Sequence, residues 1–132
     1  MSSQDVEIVR RLYRAYERGD IDSMLQELHP DFEFDASDRL PDEGVVRGRE
    51  AYGDFIRRNF EVWGDFRITV DRLVDADEAV VAILHIIGTG KGSGATAEER
   101  TAHVIWLDDG VPHRLKVFVD PARALALVGA DP

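Results

Sequence analysis

The feature that most constrains this chain is its second half, where four strand-like segments follow one another with no room for a helix between them. Phe66 to Val74 alternates through Phe66, Ile68 and Val70. Ala79 to Ile87 is rich in Val and Ile, and Glu98 to Leu107 and Val111 to Val119 complete the run. Asp75-Ala76-Asp77 and Asp108-Asp109-Gly110 read as tight turns, and the glycines at 88, 90, 92 and 94 make a flexible hairpin connection. Parallel neighbours need a crossover of a dozen or more residues, so these segments must pair as consecutive antiparallel hairpins.

The first half carries helical periodicity. Val6, Val9, Leu12, Tyr13 and Tyr16 share one face of a helix expected within 4–18, and Gly19 ends it. Met24, Leu25 and Leu28 mark a short helix within 21–28 that stops before Pro30. Tyr52, Phe55, Ile56, Asn59, Phe60 and Trp63 form a broad stripe on a third helix within 49–63. Asp31 to Asp35, with Phe32 and Phe34 on one face, and Val45-Val46 read as short strands around a polar loop. Asp120-Pro121 opens a last helix through Leu127, with aspartate as N-cap and proline at the first helical position. The expected class is α+β, one domain over residues 1–132, with a mostly antiparallel sheet covered on one face by the N-terminal helices.

Charge narrows the function. With 26 acidic and 16 basic residues the chain carries a net charge of −10, which disfavours nucleic acid and anionic membranes as partners. It has no cysteine, which excludes disulfides, thiolate metal sites and a cysteine nucleophile. The four histidines lack paired metal-ligand spacing, and the glycines around Lys91 lack the order of a phosphate loop, so no metal or cofactor is expected. The polar start, Met1-Ser2-Ser3-Gln4-Asp5, is unlike a signal peptide, and a cytoplasmic location is the expectation.

Several segments together resemble the SnoaL-like proteins. They are Glu17-Arg18-Gly19-Asp20-Ile21-Asp22 with Leu28-His29-Pro30-Asp31, then Arg47-Gly48-Arg49-Glu50-Ala51. The third is Leu107-Asp108-Asp109-Gly110 leading to Val117-Phe118-Val119-Asp120-Pro121. The resemblance spans residues 5–128. It implies the nuclear transport factor two-like superfamily: a cone of curved sheet wrapped around N-terminal helices and enclosing a pocket. Relatives include polyketide cyclases, ketosteroid isomerase and limonene epoxide hydrolase.

Carried over residue by residue, the isomerase's tyrosine, base and protonated acid fall on Leu12, Ala36 and Ala102, so that mechanism is lost. The hydrolase's Arg-x-Asp becomes Arg100-Thr101-Ala102, which keeps the arginine alone. The remaining catalytic candidates are Asp35, Asp120 and Arg100. Because the family's acid points inward, Arg100, Ala102, Val104 and Trp106 are expected to face the pocket. Thr101, His103 and Ile105 are then expected on the convex face, together with part of Ala79–Ile87, in a homodimer contact. The expected substrate-binding residues are Tyr16, Phe55, Asn59, His85, Val104, Trp106 and Val117. Each has a plainer role beside it: Asp120 as a cap, His85 as a satisfied core group, Tyr16 as core filling.

Two functions stay open. One is a cyclase or isomerase acting by acid/base chemistry on a small apolar carbonyl compound. The other is a non-catalytic binder of a hydrophobic or carboxylate-bearing metabolite.

Overall fold

The computed structural model describes residues 2–42, 44–76 and 78–130. Asp77 of the expected turn and Glu43 of the loop after the first strand lie outside the described residues. Helices α1 (Ser2–Glu17) and α2 (Ile21–Gln26) precede strands β1 (Glu33–Asp35) and β2 (Val45–Arg47) and helix α3 (Arg49–Val62). Strands β3 (Trp63–Asp75), β4 (Ala79–Gly90), β5 (Thr96–Asp108) and β6 (Val111–Phe118) follow, then α4 (Pro121–Leu127). The strands form one curved, unclosed sheet in the order β2-β1-β6-β5-β4-β3, antiparallel except where β1 runs parallel to β6.

Local chemistry explains the joints. At the β5–β6 turn Asp109 and Gly110 have φ of 51° and 76°, the doubly left-handed geometry of a two-residue hairpin that aspartate and glycine tolerate best. Strand β3 begins at Trp63, directly out of α3, three residues before the alternation suggests. The Trp63 indole lies against Gly88 of β4, where an added Cβ would approach the ring to 2.8 Å. Only a residue without a side chain lets that ring lie flat on the sheet.

The centre of the sheet is buried on both faces. Inside, Val80, Ala82 and Leu84 of β4, Ile105 of β5 and Leu115 and Val117 of β6 pack with α1, α2 and α3. Outside, Ala79, Val81, Ile83, Ala102, Val104 and Phe118 pack with Ala124 and Leu125 of α4. This second cluster corrects the sequence-based dimer surface. The N-terminal helices cover one face of the sheet, and α4 folds back over the other. Thr101, His103 and Ile105 belong to the interior and are not available for a contact between copies. Among the described residues no helix is long and apolar enough to cross a membrane.

Candidate functional site

A cavity of about 280 Å³ lies between α1, α3 and the inner face of the sheet. Aromatic rings form one side of its wall. Phe34 packs on Tyr52 and Phe55 at centroid distances of 4.8 and 5.2 Å, and Tyr16 on Phe60 and Phe66 at 5.6 and 6.0 Å. The helical stripe supplies Tyr52, Phe55, Ile56 and Asn59, and β6 supplies Val117. Rings locked against one another hold the space open, because none can swing into it without losing its partners.

Polar groups are few and are sorted by depth. His103 lines the cavity, and its Nδ1 is 2.6 Å from the hydroxyl of Tyr13, which lies in a separate small hollow. Burial, with a smaller push from the Arg39 charge, drives the His103 pKa down to about 3, so the ring is neutral. Burial also raises the Tyr13, Tyr16 and Tyr52 hydroxyls well above the usual phenol range; at Tyr16 a hydrogen bond with Asn59 offsets part of the rise. Thr101 Oγ1 donates to the Phe118 carbonyl at 2.6 Å and is thereby occupied. The charges that line the cavity, Arg39, Glu98 and Glu99, stand on its partly exposed side. Arg39 pairs with Glu99 at 2.6 Å, and Glu98 with His85 Nε2 at 2.5 Å.

Of the sequence-derived binding residues, Tyr16, Phe55, Asn59 and Val117 line this cavity. Val104 and Trp106 do not. Val104 packs under α4, and Trp106 lies beneath Arg114, whose guanidinium carbon is 4.7 Å from the indole centroid. His85 also faces outward, since its neighbours Leu84 and Ile86 are the residues of β4 that pack inside. The physical reason is parity. Side chains alternate along a strand, so a one-residue slip in β5 exchanges its faces. The register confirms the observed assignment: His103 sits opposite Val117 and Ala82, both interior.

The three catalytic candidates are likewise displaced. Arg100 is 65% exposed and pairs with Asp71 at 3.2 Å on the outer face. Asp120 Oδ1 accepts from the Ala122 amide at 3.0 Å, the N-cap of α4. Asp35 alternates away from inward-facing Phe34. Its Oδ1 accepts from the Ser37 amide at 2.9 Å and from Ser37 Oγ at 2.5 Å, and Arg114 lies 3.6 Å from Oδ2. Partial burial works to raise the Asp35 pKa, but the Ser37 bonds and the Lys116 and Arg114 charges outweigh it and hold the carboxyl below its usual range. A carboxyl so held is a poor proton donor.

Sequence reasoning weighs His103 but puts it on the convex face, leaves Tyr13 between a pocket hydroxyl and core filling, and does not single out the Arg39–Glu99 pair. One signal for His103 existed: putting Arg100 outside avoids burying a guanidinium, and that choice turns His103 inward.

The architecture and the match to a family agree. A SnoaL-like domain model matches residues 9–111. The chain belongs to the SnoaL-like family. Among solved structures, an NTF2-like protein from Burkholderia thailandensis E264 is 27% identical over 96% of this chain and 98% of its own, with a TM-score of 0.77. TerC, co-crystallized with polyporic acid, is 20% identical over 96% and 99%, with a TM-score of 0.77. A candidate polyketide cyclase from Xanthomonas campestris pv. campestris is 22% identical over 96% and 97%, with a TM-score of 0.73. No curated protein matches the sequence significantly. The SnoaL-like chain thus shares its cone-shaped fold with these proteins, while its own cavity residues must define what it holds.

Proposed function

We propose that this SnoaL-like protein holds a small, uncharged, mainly apolar ring compound in the cavity. The observation that carries this reading is the sorting of charge. The deep wall is aromatic and aliphatic with a neutral histidine, and the charged side chains that line the cavity are each paired on its exposed side. A volume of about 280 Å³ lies at the small end of ligand sites and suits one or two fused rings. A carboxylate carried inward would lose its hydration and find no unpaired cation, a cost of several kcal/mol.

The test compares 1-tetralone with 1-naphthoate by calorimetry at pH 7. The ketone is expected to bind at least about tenfold tighter, roughly 1.4 kcal/mol. Tighter binding of the carboxylate would refute the reading. An acid/base enzyme acting on a small carbonyl compound is the second reading, and the placement of His103 on the cavity wall favours it. Its proton carrier would be His103, since Asp35, Asp120 and Arg100 are all occupied elsewhere.

A further inference from the structure

Resting on that cavity reading, we infer that Tyr13 fixes the tautomer of His103, so that Nε2–H is presented to the cavity as a neutral donor selecting a carbonyl oxygen.

Two observations define the ring. The Tyr13 hydroxyl is buried in a small hollow whose other walls are apolar chains, Leu12, Met24, Leu28, Phe32, Ile105 and Leu115, and the rings of Tyr16 and Tyr52. Its hydrogen-bond partner among the described residues is His103 Nδ1, at 2.6 Å. A buried phenol proton must be given to an acceptor, and Nδ1 can accept only when it carries no proton. In a neutral imidazole the proton then resides on Nε2.

The second observation places that proton. Nε2 of His103 makes no hydrogen bond among the described residues, yet no buried side-chain nitrogen or oxygen among them is left unsatisfied. Nε2 is therefore not sealed in protein. His103 as a residue is 9% exposed and lines the large cavity as well as the small hollow of about 20 Å³. The hollow has almost no room, so we place the free nitrogen on the large cavity.

The consequence is chemical selectivity. A fixed Nε2–H welcomes an acceptor such as a ketone, ester or quinone-type oxygen, and offers nothing to a ligand that can only donate. Tyr13 touches no ligand in this arrangement and is a positioning residue. Without its hydroxyl, Nδ1 loses its donor and the ring can take either tautomer.

The test has two arms on the intact chain. Nitrogen-15 spectra of His103 at pH 7 are expected to show Nδ1 unprotonated and Nε2 protonated. Tyr13→Phe is expected to shift both signals toward a mixture, which loss of packing alone would not do. A protonated Nδ1 in the wild type would overturn the inference. The second arm compares 1-tetralone with tetralin. Hydrophobicity alone favours tetralin, so binding of the ketone at least about tenfold tighter supports the donor. Equal binding overturns the donor and leaves the cavity reading standing. Binding of neither overturns the cavity reading and the inference with it.

Discussion

Along β5, Thr101, His103 and Ile105 face the cavity and the N-terminal helices, while Ala102 and Val104 face α4 and Trp106 lies under Arg114. Both sets are dry: Ala102, Val104 and Ile105 are all fully buried. They differ in how polarity is handled. The inner set admits one titratable group, a histidine kept neutral by burial and bonded to Tyr13. The outer set ends in charges that stay in solvent and pair there, Arg100 with Asp71 and Arg114 with Glu33. Burial by itself therefore does not mark the functional face. What marks it is a neutral polar group beside unfilled space.

The largest expected effects show that both faces are structural. Ile105→Ala on the inside and Leu125→Ala in α4 on the outside should each cost about 3 kcal/mol in denaturant unfolding, because each empties a packed site. A loss below about 1 kcal/mol for Leu125→Ala would mean that α4 does not seal the outer face.

Acid should then separate the faces. His103 titrates near its ordinary value of about 6.5 when unfolded and at about 3 when folded. The unfolded chain thus binds the extra proton between those values, and stability falls as pH drops through that window. The loss due to His103 between pH 6.5 and 4 is on the order of 3 kcal/mol. His103→Gln should flatten that part of the unfolding profile. Asp35 acts in a lower window: its depressed pKa stabilises the fold above the unfolded carboxyl value and is lost as pH falls below it. An unchanged slope in His103→Gln would mean that the histidine is solvated.

Tyr13→Phe should cost about 1–2 kcal/mol, since it strands a buried Nδ1. Arg100→Met should change stability by less than about 0.5 kcal/mol and leave 1-tetralone affinity unaltered, as expected of an exposed ion pair.

The same comparison explains what could be read in the sequence. The hairpin order, the helices and the aromatic stripe of α3 were legible because turn chemistry and the 3.6-residue period act locally. Hence Tyr16, Phe55 and Asn59 were placed at the cavity, along with Val117. The face of β5 was not legible from hydrophobicity, because α4 buries the outer residues as completely as the helices bury the inner ones. Tyr13 and His103 are 90 positions apart, and no spacing rule joins them. Asp35 was a different kind of error: with Phe34 inside, alternation already sent Asp35 outside.

The central claim is that the inner face of β5 meets the ligand and the outer face does not. Its most direct test is a backbone and side-chain NMR titration with 1-tetralone at pH 7. Shifts are expected to concentrate at Thr101, His103, Asn59 and Val117, with Arg100, Asp120 and His85 unmoved. Shifts confined to Arg100, Asp71 and α4 would contradict the account.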